Sequence, residues 1–301
     1  MASLKDIKNR IGSVKNTEQI TKAMKLVSTS KLKKAQDNIV GCRPYAYNIR
    51  DLIFNISCSR KVTHELLEEK EVKPESKVKT LYVVVTSDRG LCGGFNNNIA
   101  RWAEARYKEC FEKSNGKDSE VDFYFIGKKA RDYFMSRGLK DGEVKLNLSK
   151  DMCYNLAKDV ANKLLKYFTE GEYNEIFVVY NEFKSAIQQD VVAERLLPLK
   201  IEQEKSKIAS DLYEDPDTIF EPQASEIIDE LLKKHFEVQI YRVLSESIAS
   251  EHAARMTAMD NASKNAKDAI DKLTLTYNKM RQAAITTELI EITSGAEALN
   301  G

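Results

Sequence analysis

The chain has 301 residues, 42% of them hydrophobic and 31% charged, with a formal net charge of +1. That balance excludes an intrinsically disordered chain, and the charges recur too often to leave the run of about 20 apolar residues that a membrane span needs. The charge is unevenly placed: residues 1–61 carry thirteen Lys/Arg against four acids, a net of +9. Five scattered cysteines (Cys42, Cys58, Cys92, Cys110 and Cys153) show no CxxC spacing, the usage of reduced thiols in a cytosol-like compartment. The N-terminus shows neither the apolar core of a signal peptide nor an Arg/Ser-rich transit segment. A soluble protein is expected, able to dock on a membrane complex.

Ser3 followed by Asp6 reads as a capping box, so a helix starts almost at once. Leu4, Ile7, Ile11 and Val14 repeat at 3-4 spacing, and the same register returns from Leu32 through Ala35, Ile39, Cys42, Ala46, Ile49 and Ile53 to Ile56. Between them Glu18, Thr21, Lys25 and Ser28 occupy the seam, while Ile20, Met24 and Val27 form a displaced stripe. Gly41 and Pro44 are expected to bend or loosen this helix without ending it. The first predicted element is therefore a long helix over 1–58, followed by a polar linker.

From Lys79 the period changes. Thr80–Thr86 (TLYVVVT) reads as a buried strand, followed by a glycine-containing turn and a helix over 97–113. Val121–Ile126 is a second strand, followed by a helix over 128–137. A short strand at 144–148, a helix over 152–169, a strand at 176–180 and an edge strand at 188–199 complete a small α/β domain over 78–200. Strands alternating with helices indicate a largely parallel sheet. Residues 202–221 are acidic and read as an exposed loop.

Between Pro222 and Gly295 there is neither proline nor glycine. A periodic run well past 25 residues suggests a coiled coil. Ile227, Leu231, Lys234, Val238 and Tyr241 give one 3-4 series. Met259, Ala262, Ala266, Ala269, Leu273, Thr276, Met280 and Ala283 give another, at the 3.5 spacing of a coiled-coil seam. Gly295 reads as a C-terminal stop, so the second long helix is expected over 222–295. The simplest way to hide two long seams is to pair them antiparallel, with the α/β domain returning the chain, so that 1–58 and 222–295 make one discontinuous domain.

No catalytic set emerges. Gly90, Gly93 and Gly94 follow a strand and precede a helix, where phosphate loops sit. Their spacing is not the dinucleotide fingerprint, and no GxxxxGK[ST] occurs; close strand–helix packing is the favoured role. His64, His235 and His252 have no partner at metal-ligand spacing. No cofactor and no metal are expected. The basic first helix admits a nucleic-acid reading, against which stands the lack of Phe, Tyr or Trp in residues 1–44 for stacking. A solvated coiled-coil face and an acidic protein partner are the other readings. An enzyme using the glycine turn is a further rival, one that predicts nucleotide binding by the isolated chain.

Three runs carry a resemblance: IKNRIGSVKNTEQITKAMKLV from Ile7 to Val27, TSDRGLCGGFN from Thr86 to Asn96, and SEHAARMTAMDNA from Ser250 with YNKMRQAAITTELIEITSGA from Tyr277. With these, the whole chain closely resembles the gamma-subunit family of bacterial F-type ATP synthases. The resemblance implies a fold in which paired N- and C-terminal helices form a long antiparallel two-helix coiled coil with a small Rossmann-like α/β domain between them. It implies a non-catalytic central rotor shaft inside a ring of alpha and beta subunits, coupling proton or sodium movement through a c-ring to ATP synthesis or hydrolysis at beta, and regulating ATPase activity and ion flow. Further implied partners are epsilon and the c-ring, with no nucleic acid, and a peripheral location on the cytoplasmic face of the bacterial plasma membrane. Carried over by motif, Arg281, Gln282, Thr286 and Glu288 would meet the catch loops of the ring, and Met24 and Lys25 would face the acidic lever of beta. Arg89, Phe220 and Glu221 fall in segments resembling the foot, near the c-ring and epsilon; Phe220-Glu221-Pro222 departs from a common Tyr-Glu-Pro there. No disulfide-bearing insertion of the chloroplast type is visible, so thiol control is not implied.

Overall fold

A computed structural model of the chain describes residues 3–60, 64–67, 78–113, 119–139, 142–145, 154–185, 188–199 and 224–300. The elements in chain order are α1 (Leu4–Arg60), β1 (Val78–Val85), α2 (Phe95–Lys113), β2 (Ser119–Ile126), α3 (Lys128–Ser136), β3 (Glu143–Lys145), α4 (Tyr154–Thr169), β4 (Glu175–Phe183), β5 (Gln189–Leu197) and α5 (Ala224–Asn300). They divide into two compact units, residues 30–254 and residues 1–29 with 255–301. Each long helix contributes to both units.

In the unit formed by 30–254, a five-stranded sheet runs in the order β3-β2-β1-β4-β5. The β1–β2, β1–β4 and β2–β3 pairs are parallel and β4–β5 is antiparallel. A parallel sheet is covered on both faces, and Val83, Val84 and Val85 are accordingly closed off completely. Alternate residues face opposite sides. Tyr82, Val84, Phe123 and Phe125 meet Phe95, Ile99 and Ala103 of α2 and Phe134 of α3. A second apolar stripe, Ala157, Val160, Ala161, Leu164 and Phe168, is the buried face of α4.

Close approach of backbone to backbone falls on Gly127, not on the glycine turn after β1. Its φ is +93°, and a Cβ there would stand 2.0 Å from the Thr86 carbonyl oxygen. Nothing lies within 4 Å of a Cβ built on Gly90, and Gly93 serves a left-handed φ of +57°. The tight strand–helix packing expected of that turn is therefore supplied elsewhere.

Within the same unit α5 is buried almost all round from His235 to Ser250. The first 3-4 series proposed for it starts one residue out of register. Ile228, Leu232 and Phe236 are sealed while Ile227 and Leu231 are only partly buried, and further along Val238 is buried as expected. A helix packed on several sides has no single seam, so a heptad reading picks the wrong neighbour. α1 passes Pro44 without ending. Pro44 lies on the exposed face, as does Val40, whose carbonyl loses its intrahelical donor.

In the unit of 1–29 with 255–301 the capping box closes as read: Asp6 N–H donates to Ser3 Oγ at 3.2 Å and Ser3 N–H to Asp6 Oδ2 at 3.0 Å. The seam of α1 continues through its polar stretch. Thr21 and Ser28 are buried, whereas Ile20, Leu26 and Val27 are more than half exposed. Gly295 does not stop α5. It has open space around it and keeps helical backbone, and the helix runs to Asn300.

Gly127→Ala is expected to lower unfolding stability by about 3 kcal/mol or more, since both φ and the carbonyl contact oppose a side chain. Gly12→Ala, on an exposed helical face with free space, should raise it by about 0.5–1 kcal/mol. Urea denaturation checks both.

Candidate functional site

The unit of 1–29 with 255–301 holds six of the nine residues carried over by motif. α1 and α5 pair antiparallel, because the segment of α5 grouped with residues 1–29 begins, not ends, at Arg255. Lys25 Nζ donates to Asp260 Oδ1 at 2.6 Å, and Lys264 pairs with the other oxygen at 2.8 Å. Lys25 is thus half-turned inward onto its own chain, and its side chain stays 42% exposed. Met24 beside it is half-buried, next to the exposed Ile20, Leu26 and Val27.

That ion pair sets the register. Counting back from Lys25 opposite Asp260, the first turn of α1 lies level with roughly residue 281 of α5. Beyond this point α5 has no α1 beside it, and burial falls away as the register requires. The inner face reads Met259, Ser263, Ala266, Ile270, Leu273, Tyr277, Met280 and Ala284, and every residue from Ile285 to Ala296 is exposed. Thr276 and Ala283, assigned to the seam from spacing, are exposed, and Tyr277 and Ala284 take their places. A straight helix has 3.6 residues per turn, so a strict 3.5 repeat drifts off the contact line.

Arg281, Gln282, Thr286 and Glu288 are all exposed. At about 100° per residue, Arg281, Ile292, Ile285, Leu289, Gln282 and Thr286 follow one another over an arc of about 140° on one flank of α5, from Arg281 beside Tyr277 to Thr286 on the opposite side. The arc mixes a guanidinium, an amide and aliphatics that are about half exposed or more: Ile285 at 47%, Leu289 at 58% and Ile292 at 68%. Thr286 spends its hydroxyl on the Gln282 carbonyl at 2.9 Å. Contiguous exposed aliphatic surface of this kind marks a binding face. The family motif singles out the polar members of this arc and none of the aliphatic ones. Their common face depends on where α1 stops.

Arg89 lies in the other unit, exposed in the turn after β1. The turn is latched from inside. Ser87 Oγ donates to the Arg89 carbonyl at 2.5 Å, Asn96 Nδ2 donates to Ser87 Oγ at 2.8 Å, and Asn96 Oδ1 accepts from the Ser87 N–H at 3.0 Å. Cys92 is buried beneath. The tip residue Leu91 sits at φ +64° and is 64% exposed. Phe220 and Glu221 lie outside the described residues. Among the described residues no His/Cys/Asp/Glu group could hold a metal ion, and no helix is long and apolar enough to cross a membrane.

A family model described as ATP synthase matches residues 3–299. The ATP synthase gamma chain of Bdellovibrio bacteriovorus is 54% identical over 304 residues, all of both chains, and that of Geotalea uraniireducens is 46% identical over 302 residues, again all of both. Among solved structures, a chain of the Tetrahymena thermophila mitochondrial ATP synthase central stalk and c-ring superposes with a TM-score of 0.56. It is 27% identical, and the match covers 81% of this chain and 99% of that one. A chain of the Euglena gracilis mitochondrial ATP synthase shares the fold at a TM-score of 0.63 and 19% identity, covering 98% of this chain and 94% of that one. The nucleic-acid reading of the basic first helix finds no support among these relatives.

Hydrogen bonds from Lys25 first and Lys264 second hold the Asp260 carboxyl down at about 2. A depressed carboxyl stabilises the folded state above its unfolded value, near 3.9, and the contribution is lost as pH falls toward about 2. Asp260→Asn should therefore lower the Tm at neutral pH, with the gap to the parent closing between about pH 4 and pH 2. A gap that persists unchanged across that window contradicts the pairing.

Proposed function

The chain belongs to the ATP synthase gamma-chain family, and from that premise we propose that it is the central shaft of an F-type rotary ATP synthase, carrying torque without doing chemistry itself. The observation that carries the reading is the end of α5, which leaves α1 behind and exposes Ile285, Leu289, Ile290 and Ile292 on a single helix. Isolated aliphatic side chains on a lone helix gain by entering an apolar sleeve. A ring of alpha and beta subunits supplies one. Arg281 and Gln282 then meet the ring's loops as the polar contacts of the same arc, with Thr286 and Glu288 beside them.

Lower on the shaft, Met24 and Lys25 face the acidic lever of beta. Lys25 already shares Asp260, so its contact with a passing carboxylate is an exchange of weak exposed ion pairs. The exposed Lys22 of the same unit adds to that basic face. A surface of this kind attracts each lever without holding it, as a turning part requires. Nucleotide stays on beta, and ion flow through the c-ring supplies the rotation or absorbs it. Arg89 and Leu91 at the turn tip, with Phe220 and Glu221, form the foot toward the c-ring and epsilon. The assembly sits peripherally at the membrane, on the cytoplasmic face of the bacterial plasma membrane.

Truncating a central interface side chain commonly costs about 1 kcal/mol or more. The double change Arg281→Ala with Gln282→Ala should therefore weaken association of the chain with a reconstituted alpha–beta ring by roughly tenfold or more, and ATP-driven ion pumping should fall with it. Unchanged association and pumping would remove these two residues from the site.

A further inference from the structure

In the unit of 30–254 a cavity of about 410 Å³ opens where α1, β4, β5 and α5 meet, and Glu246 forms part of its wall. Glu182, Glu194 and Arg50 line it too, and the guanidinium that reaches Glu246 is that of Arg242. Its Nη2 donates to both oxygens of Glu194, at 2.6 and 2.7 Å. Its Nη1 donates to the Tyr180 hydroxyl at 3.3 Å and its Nε to the Gln239 side-chain Oε1 at 3.1 Å. What is left for Glu246 is one long contact, 3.3 Å from Nη1 to Oε1. The other oxygen, Oε2, is sealed from solvent and has no hydrogen-bond partner among the described residues. The residue as a whole is 9% exposed.

An ionised carboxylate in that position leaves half its charge neither solvated nor paired, one of the costliest arrangements in a folded chain. The neutral acid avoids most of the penalty. We infer that Glu246 is a proton-binding site of the folded chain, and that its proton is what lets Glu194 and Glu246 share the Arg242 guanidinium.

The surroundings act consistently. Burial pushes the carboxyl up first, Arg242 opposes, and the Glu182 and Glu194 charges add to the rise. From α1, Cys42, Tyr47 and Arg50 line the same cavity. The Cys42 thiol is itself raised by burial, and Arg50 is engaged with Asp51 at 3.4 Å. From β4, Tyr180 is raised chiefly by burial, and Glu182 lies 3.9 Å from Lys184. From α5 itself, buried His235 is pressed down to about 4 by burial and by Arg50 and Arg242, so toward neutral pH it lends Glu246 no charge.

The proton therefore guards the attachment of α5 to the sheet. Once ionised, Glu246 competes with Glu194 for Arg242 and repels both neighbouring carboxylates, loosening the hold of the helix on β5. A carboxyl raised on folding adds stability that is full below its unfolded value, near 4.3, and is lost as pH climbs through the folded value.

The test is thermal unfolding of the full chain against pH, parent beside Glu246→Gln, which copies the neutral acid. The two should coincide near about pH 4 and diverge as pH rises, with the variant melting about 2–4 °C higher by pH 8. A variant that melts lower at pH 8 would make Glu246 an ionised partner of Arg242, and equal melting at every pH would make its proton irrelevant; either result overturns the inference. Should Glu246→Gln not fold, Glu246→Met keeps the length with no charge and reads the same divergence.

Discussion

Everything in the unit of 1–29 with 255–301 follows from one register: Lys25 opposite Asp260 between two antiparallel helices. Helices of 57 and 77 residues gain most of their stability from packing an apolar face, not from intrinsic propensity. The contact line along α1 is kept at 3-4 spacing even where the sequence puts Glu18, Thr21, Lys25 and Ser28 on it. Small hydroxyls fit such a line if their hydrogen bonds are made locally, and Thr21 donates back to the Glu18 carbonyl at 2.9 Å. The apolar Ile20 and Val27 remain outside, because rotating the helix to bury them would expose Leu4, Ile7 and Ile11 on the same contact line. The same register decides where α1 ends against α5, and so which side chains of α5 are left for a partner.

The unit of 30–254 uses a different kind of hold. Here the helices lie against a sheet and are tied by charge-assisted hydrogen bonds that resist sliding along the helix axis. Arg242 reaches Glu194 with two short contacts, Tyr154 donates to Glu237, and His64 lies 2.9 Å from Asp229. Such bonds are directional and about twice as strong as neutral ones, whereas apolar packing alone tolerates small shifts. A subunit that transmits torque needs this stiffness wherever its helices meet its globular part.

Much of this was legible in the residues. Absence of glycine and proline over a long stretch, the Ser3–Asp6 box, and the change from 3.5 to strand periodicity at Lys79 each have a single cheap structural solution. The order of strands and helices pointed to a mostly parallel sheet for the same reason. What stayed hidden depended on neighbours. Ile227 and Ile228 are indistinguishable until the sheet is seen to pack against α5. Tyr277 replaces Thr276 only because the helix drifts against its partner. Gly295 reads as a stop by type, yet nothing around it asks the chain to turn. The family motif pointed to Arg281 and Gln282 as candidate ring contacts but was silent on Glu246, whose character comes from its burial among groups distant in sequence, Glu182 and Glu194 included.

The most direct test of the antiparallel register is a pair of distances measured by pulsed electron resonance between spin labels in a cysteine-free chain. One label stays at Lys279 and the other is placed first at Lys8 and then at Lys22. With Lys25 opposite Asp260, antiparallel pairing brings Lys279 level with about residue 6, so it predicts a short distance to Lys8 and one about 20 Å longer along the axis to Lys22, at about 1.5 Å per residue. A distance to Lys8 equal to or longer than that to Lys22 would contradict the register and the exposed helix end that follows from it.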